Sequence, residues 1–205
     1  MYKFEIFISF IFLYALLGCS PRTAIQKEAR HYQKGRLNED TSNVYQLPYE
    51  LGTQHTMIQG YYSRHTHRYK AAVDFKMKIG TPICAVADGI IMRIKDDSNL
   101  GGFNKKYKPD ANYIIIQHDD STRSSYRHLM FHGVMVAEGD TVRRGMIIGK
   151  SGNTGYTFTP HLHFMISKYK DGQWMSTPCR FISKSYKGYL RPWHRYESIN
   201  SLAKS

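Results

Sequence analysis

Acidic residues are scarce in this chain: 16 Asp and Glu stand against 29 Lys and Arg in 205 residues, a formal net charge of +13. Such a balance predicts attraction to polyanions or anionic surfaces. The basic residues form no compact run and no nucleic-acid-binding motif is present, which argues against a nucleic-acid partner. An acidic cell-envelope polymer or an anionic membrane fits the charge as well.

Long apolar runs are also missing. Residues 4–17 are almost continuously apolar, but this run is too short for a confident membrane-spanning helix and is typical of a signal peptide. It ends in Gly18-Cys19, which resembles a bacterial lipoprotein processing site. We therefore predict a signal peptide over residues 1–18 and a lipid on Cys19, so that the protein is exported to the cell envelope and anchored to the membrane. An uncleaved N-terminal anchor helix is the alternative.

Cysteine is rare, and only Cys84 and Cys179 follow Cys19. Export permits a disulfide, but the spacing of two cysteines cannot decide whether they pair. Cys84 lies in an apolar, strand-like run, where a buried free thiol is common. A disulfide and two free thiols therefore both stay open.

Long helical periods are absent as well. From about residue 51 the chain consists of short apolar runs separated by turn signals such as Asp88-Gly89. Many short strands at close spacing predict an all-β fold, a compact antiparallel sandwich or barrel-like domain over residues 51–182. The polar residues 19–50 are predicted to form a tether, and residues 183–205 a basic, aromatic C-terminal extension.

The segment 151–164 is the centre of the functional argument. It begins with turn residues and then alternates with period two, which predicts a half-buried strand. Leu162 and Phe164 would face the core, and His161 and His163 would lie together on the other face. Two adjacent imidazoles are typical of half a metal site, of a ligand beside a proton carrier, or of an ordinary polar face.

Candidate partners for this pair lie earlier in the chain. Asp74 occupies an apolar run, where a lone carboxylate is costly to bury unless it is paired or binds a cation. His65 precedes Asp74 by nine residues and His67 precedes it by seven. Two imidazoles and one carboxylate can bind zinc and leave a fourth position open for water.

A further histidine, His128, lies on another predicted strand. Period-two alternation places Tyr126 and His128 on one face of this strand and Leu129 on the other. The remaining histidines are expected at turns, on the surface or in packing positions: His31, His55, His118, His132 and His194.

Seven segments carry a resemblance to a known family. They are His65…Ala72-Val-Asp-Phe75, Gly80-Thr-Pro-Ile83, Ala87-Asp-Gly89, Tyr126-Arg-His-Leu129, Val142…Gly145, Ser151-Gly-Asn-Thr-Gly155 and Pro160-His-Leu-His-Phe164. Together, in this order, they resemble the lysostaphin/LytM-type zinc metallopeptidases over roughly residues 57–168. The resemblance implies a compact β-rich fold with an open groove, one zinc ion, and hydrolysis of peptide bonds in bacterial peptidoglycan by a metal-activated water.

The resemblance also implies roles for individual residues. Asp74 and His163 match zinc ligands, and His128 and His161 match catalytic histidines. The segment 156–159 departs from the family pattern, which often has Ser and Gly before Pro-His-Leu-His; its bulkier residues would reshape the rim of the groove.

The sequence also departs from the family pattern at the position of the first zinc ligand. The commoner pattern has a histidine four residues before the aspartate, where this chain has Lys70. A cationic lysine is a poor zinc ligand. A subgroup of similar sequences places the histidine further upstream, and His65 fits that spacing better than His67. The predicted ligand set is therefore His65, Asp74 and His163, with His67 as the alternative.

Two other functions remain as alternatives. A catalytically inactive LytM-type envelope protein would bind the wall or activate another wall hydrolase; Lys70 hints at this, and the otherwise complete histidine set argues against it. A lipoyl- or biotinyl-type carrier domain is loosely similar around residues 87–89 and 136–149. The exported start and the histidines fit that second alternative poorly.

Overall fold

The structure, a computed structural model, describes residues 23–33 and 44–200. In these residues it contains one α-helix, α1 (Ala24–Gln33), and one 3-10 helix (Lys105–Asp110). None of the helices described is long and apolar enough to cross a membrane. The predicted signal peptide and Cys19 lie outside the described residues.

Sixteen short strands make up the rest of the regular structure in the described part of the chain. They are β1 Val44–Gln46, β2 Gln54–Gln59, β3 Ala72–Lys76, β4 Pro82–Cys84, β5 Gly89–Lys95, β6 Gly101–Gly102, β7 Asn112–Gln117, β8 Thr122–Val134, β9 Thr141–Val142, β10 Ile147–Ser151, β11 Gly155–Tyr156, β12 His161–Lys170, β13 Gln173–Thr177, β14 Arg180–Ser183, β15 Tyr186–Gly188 and β16 Arg195–Glu197.

Eleven of these strands form one antiparallel sheet. Its continuous path is β16-β2-β3-β12-β8-β7-β5-β9, while β13 pairs with β12, and β10 pairs with both β4 and β8. A three-stranded sheet, β1-β14-β15, and a two-stranded sheet, β6-β11, contain the two parallel pairs found in the described residues, β1–β14 and β6–β11. The predicted all-β, antiparallel fold class is confirmed.

The core lies on one face of the central strands β3, β12 and β8. Leu162 and Phe164 are fully buried there, as their alternation predicts. Phe181 of the small sheet covers this face, with ring centroids 5.7 Å from Phe164 and 6.2 Å from Phe75. Because side chains alternate along a strand, the opposite face of the same strands is left for Asp74 and the histidines.

The folded unit extends beyond the predicted boundaries at residues 51 and 182. Tyr45, Leu47 and Tyr49, which lie in the predicted tether, are buried, and β1 pairs with β14. At the other end β16 pairs with β2. A three-residue strand has little periodicity of its own, so this pairing, distant along the chain, was not visible in the sequence.

The two later cysteines are free thiols. Cys84 and Cys179 are both buried and form no disulfide. Burial raises the pKa of each thiol to about 12, so neither is a reactive thiolate near neutral pH. Of the two alternatives left open by the sequence, the structure has the free thiols.

We expect Phe164→Ala to lower the free energy of unfolding by about 3–5 kcal/mol, because it leaves a cavity in the fully buried core beside Tyr126 and Phe181. Urea denaturation measures the change. Phe158→Ala is the matched control, since that ring is 81% exposed and its loss should change stability by no more than about 0.5 kcal/mol. Similar losses in the two variants would contradict this description of the core.

Candidate metal centre

Three electron-pair donors converge on the polar face of the sheet. Asp74 on β3 and His163 on β12 are register partners, and His163 Nδ1 lies 2.9 Å from Asp74 Oδ1. His67, in the loop before β3, places Nε2 3.2 Å from Asp74 Oδ1 and 3.1 Å from His163 Nδ1. All three residues are buried. The site therefore unites residues that are far apart in the sequence.

The first histidine of this cluster differs from the one chosen on sequence spacing. His67 is fully buried, whereas His65 is exposed on the same loop and is not in the cluster. The backbone turns after His67, where the amide of Lys70 donates to the carbonyl of His67 (3.0 Å). Because the loop turns here, counting residues back from Asp74 does not identify the side chain that reaches it.

The chemistry of this donor set fits a bound cation. His67 Nδ1 lies 3.2 Å from the carbonyl of Gly60, and a carbonyl only accepts, so Nδ1 carries the proton and Nε2 presents a lone pair. In the metal-free protein that lone pair can accept from His163 Nδ1, which also lies 2.9 Å from Asp74 Oδ1; a bound cation would take the place of this shared proton. Ligands at 2.0–2.1 Å from a tetrahedral zinc are about 3.3 Å apart, close to the 2.9–3.2 Å seen here.

Burial and hydrogen bonding shift the pKa values of Asp74 and His163 in opposite directions. Burial disfavours the Asp74 carboxylate, but contacts with His163 and His67 outweigh it and hold the Asp74 pKa well below its usual range. For His163, burial lowers the pKa to about 4 despite the hydrogen bond to Asp74. The aspartate is therefore ionised and His163 neutral at neutral pH, the protonation states that metal ligands require.

A local irregularity in β8 brings His128 to the same face. His128 has a φ of +65°, an uncommon conformation for a residue other than glycine that often marks a functional site. The register with β7 also shifts here, as at a β-bulge. The prediction that Tyr126 and His128 share a face opposite Leu129 was wrong: Tyr126 and Leu129 are both in the core, and the His128 ring lies 5.7 Å from that of His163.

The turn after β10 holds His128 in place. The carbonyl of Thr154 accepts from His128 Nδ1 at 2.7 Å, and the Thr154 hydroxyl donates to the carbonyl of Leu129. Gly155 makes this close approach possible, because it has a φ of +82° and a Cβ there would lie 2.5 Å from Ala111. With Nδ1 donating, the Nε2 atom of His128 keeps a free lone pair.

His161 is oriented in the same way. Its Nδ1 donates to the carbonyl of Thr159 at 2.7 Å, so its Nε2 also keeps a lone pair and lies 3.8 Å from Asp74 Oδ2. The rings of His128 and His161 are 4.7 Å apart. Both histidines are thus positioned as proton acceptors beside the His67–Asp74–His163 cluster.

A second donor group overlaps the first. His128, His161 and His163 place one nitrogen each within 4.8 Å of one another. This group contains no carboxylate, whereas the His67–Asp74–His163 cluster supplies one. Among the described residues these are the two groups able to bind a metal ion, and the tighter, charged one fits zinc better.

The segment 156–159 forms an aromatic rim beside His161. Phe158 is 81% exposed and lies edge-on to Phe103, and Tyr156 stacks on the same ring; both pairs have ring centroids 5.5 Å apart. Of the bulky residues noted in the sequence, Phe158 is exposed and Tyr156 is half-buried, whereas Thr157 is buried.

The stability of the metal-free protein should fall as the pH is lowered from 7 to 4. Burial, together with the neighbouring His161 and His163, lowers the pKa of His128 to about 3, while an unfolded histidine titrates near 6.5. Between these values the unfolded chain binds more protons, so the free energy of unfolding decreases as pH falls, by roughly 3 kcal/mol from this residue. Urea denaturation at a series of pH values measures it. His128→Asn should show a shallower dependence; an equal one would contradict the assignment.

Comparison with known proteins identifies a family with a matching sequence. The model of "Peptidase family M23" matches residues 68–176, about half of the chain. The chain belongs to peptidase family M23. The M23 match begins one residue after His67, so it does not itself decide between His65 and His67.

Several curated proteins are similar to part of this chain. Lysostaphin of Staphylococcus simulans is 36% identical over 143 residues, which is 70% of this chain and 24% of that protein. The peptidoglycan DD-endopeptidase ShyA of Vibrio cholerae is 37% identical over 91 residues, 44% of this chain and 18% of that protein. The chain thus spans a quarter or less of the length of these relatives. Among solved structures, the lysostaphin catalytic domain is 30% identical with a TM-score of 0.43, covering 60% of this chain and 87% of that one.

Proposed function

We propose that this protein is a zinc-dependent endopeptidase that hydrolyses peptide bonds in bacterial peptidoglycan. The observation that carries the proposal is the convergence of His67, Asp74 and His163 with two further histidines whose Nε2 lone pairs are free. The M23 relatives support the substrate, because lysostaphin and the DD-endopeptidase ShyA are among them. Because ShyA is a peptidoglycan endopeptidase, we place this protein outside the cytoplasm as well.

His67 Nε2, Asp74 Oδ1 and His163 Nδ1 would bind the zinc ion. When bound, zinc supplies a Lewis acid that polarises a carbonyl and lowers the pKa of a water from about 15.7 towards about 7. The backbone carbonyl of Gly60 orients His67, as an outer partner commonly does for a ligand histidine. The surrounding core holds His163 and Asp74 in register, so the donors are preorganised.

His128 and His161 would perform the proton transfers. Each donates from Nδ1 to a backbone carbonyl, which orients its ring and leaves Nε2 to accept a proton. Burial keeps His128 neutral at neutral pH, so it accepts a proton there without first losing one. After peptide-bond cleavage the same Nε2 atoms can return the proton to the leaving amine, and in the protonated form they can donate to a developing oxyanion.

The main alternative function that the sequence left open is that of a catalytically inactive, wall-binding protein. That alternative depended on Lys70, which stands where the commoner pattern has a histidine. His67 lies beside Asp74 and His163 and offers a third donor atom, which argues against a missing ligand.

The test combines metal analysis with a digestion assay. The purified domain, residues 44–200, should contain about one zinc per chain and release soluble fragments from isolated peptidoglycan. Asp74→Ala should lose both properties, because it removes the only carboxylate of the cluster in the described residues. A protein that binds wall and zinc but releases no fragments would favour the inactive alternative, and a protein without zinc would overturn the proposal.

We further propose that the chain is a lipoprotein anchored through Cys19, since Gly18-Cys19 directly follows the apolar run. Cys19→Ala should appear in an unprocessed or soluble form and should fail to incorporate labelled fatty acid. Cys84→Ala is the control and should remain membrane-bound and labelled. A Cys19→Ala protein that fractionates, migrates and labels like the wild type would contradict the anchor. The net charge of +13 would add a salt-sensitive attraction to an acidic wall polymer.

A further inference from the structure

A cationic side chain lies beside the candidate metal ligands and takes no part in the mechanism above. Arg127 of β8 is the register partner of His163 on β12. Directly paired residues project to the same face with Cβ atoms about 4.5–5.5 Å apart, so Arg127 stands on the face that carries Asp74 and His163. The sequence analysis placed Arg127 within the segment Tyr126-Arg-His-Leu129 but gave it no role.

The guanidinium of Arg127 is held against an aromatic ring. Tyr113 of β7 pairs with Arg127 from the other side, and its ring centroid lies 5.0 Å from Arg127 Cζ. This cation–π contact restricts the side chain while leaving its fork of N–H donors available. Arg127 is half-buried, so its charge lies at the edge of the site rather than in bulk water.

Two lysines from other elements approach the same place. Lys70 lies in the loop before β3, where its amide donates to the carbonyl of His67 at 3.0 Å. The charges of Arg127 and Lys108 both act on its ammonium. Lys70, Lys108 and Arg127 thus form a cationic group, named here the basic corner, contributed by a loop, the 3-10 helix and β8.

The basic corner has no anionic partner of its own. Across residues 23–33 and 44–200, no carboxylate oxygen lies within ion-pair distance of Lys70, Lys108 or Arg127. Like charges held together cost free energy, and the half-buried guanidinium costs more because it has lost part of its hydration. An anion on the substrate would relieve this repulsion.

We propose that the basic corner binds a carboxylate of the substrate next to the scissile bond. This inference rests on the proposed peptidase function and specifies its substrate class: a peptide with a free carboxylate within about one residue of the bond that is cut. The planar fork of Arg127 can bind such a group through two parallel hydrogen bonds, and Lys70 and Lys108 add point charges. A polyglycine bridge has no charged side chain to occupy this subsite, whereas a stem peptide with an acidic residue does.

The test uses three synthetic substrates with the zinc-loaded protein. Two are cross-linked stem peptides that differ in one group, a free carboxylate or a carboxamide on the diamino acid at the scissile bond, and the third is pentaglycine. We expect kcat/KM for the carboxylate peptide to exceed that for the carboxamide by at least about tenfold, as for other charge-assisted pairs, and to exceed that for pentaglycine by more. The preference should decrease as salt is raised.

Variants of the basic corner locate the effect. Arg127→Gln should reduce the carboxylate-to-carboxamide preference at least about fivefold, and Arg127→Lys should retain part of that preference. Lys70→Gln should also lower the preference, without disturbing the core, because Lys70 is exposed. Lys187→Gln is the matched control for a lost charge on the small sheet and should keep the wild-type preference. Affinity for a non-cleavable carboxylate peptide, measured by calorimetry, should follow the same order.

The outcomes separate this inference from the function it rests on. If the protein cleaves none of the three peptides and does not digest whole peptidoglycan, the peptidase function itself is overturned. Cleavage of the carboxamide or of pentaglycine as fast as the carboxylate, or an unchanged preference in both Arg127→Gln and Lys70→Gln, would overturn the carboxylate subsite and leave the peptidase function in place.

Discussion

His67→Ala is expected to bind less than one-tenth of the zinc of the wild-type protein and to lose at least about 100-fold in peptidoglycan hydrolysis. The imidazole supplies one of three donors, so its loss should exceed the 10–100-fold cost typical of an outer-shell partner. Its Nε2 lies 3.2 Å from Asp74 Oδ1 and 3.1 Å from His163 Nδ1. Metal analysis after dialysis, together with release of soluble wall fragments, measures both quantities.

His65→Ala is the matched control, because it removes the same side chain from the same loop two residues away. His65 is exposed and not in the cluster, so this variant should keep about one zinc per chain and activity within about twofold of wild type. Zinc lost in His65→Ala but retained in His67→Ala would restore the ligand set based on spacing. Retention in both variants would contradict a site built on either histidine.

The second large effect is expected at the two histidines beside the cluster. His128→Ala and His161→Ala should keep about one zinc per chain but lose about 10²–10⁴-fold in kcat, the usual contribution of a positioned proton-transfer group. The loss should fall on kcat and kcat/KM alike, because both side chains act on the transition state. Steady-state kinetics on a defined cross-linked peptide separates the two parameters.

A control and a competing result sharpen this prediction. His132→Ala removes a histidine whose side chain is 69% exposed and should leave both zinc and turnover near wild type. If His128→Ala and His161→Ala lose zinc while His67→Ala keeps it, the ion occupies the group formed by His128, His161 and His163 instead. That result would transfer the ligand role to the second donor group.

Strand-level features of this protein were accessible from its sequence because they depend on local periodicity. Leu162 and Phe164 alternate with His161 and His163, and the structure places the first two in the core, as period-two geometry requires. Asp74 could be singled out because a carboxylate in an apolar strand needs a partner. The family resemblance then linked the segments, and the match to peptidase family M23 confirms it at the level of the family.

Features that depend on departures from regular geometry were not accessible. At His128 a left-handed φ of +65° breaks the alternation that would have placed the side chain with Tyr126. Between His67 and Asp74 the loop turns, so the buried histidine is not the one favoured by spacing. Neither conformation has a periodic signature, since each is stabilised by contacts with distant residues, such as the carbonyls of Thr154 and Gly60.

The sequence by itself determined the all-β class, the central strands, and Asp74, His128, His161 and His163 as candidates, since these follow from residue type and local pattern. The tertiary structure alone decided which upstream histidine joins the cluster. It also placed Arg127 beside His163 and drew residues 44–50 and 195–197 into the fold. The physical reason is that strand pairing joins residues distant along the chain, and the register of that pairing is settled by burial of whole faces rather than by any one segment.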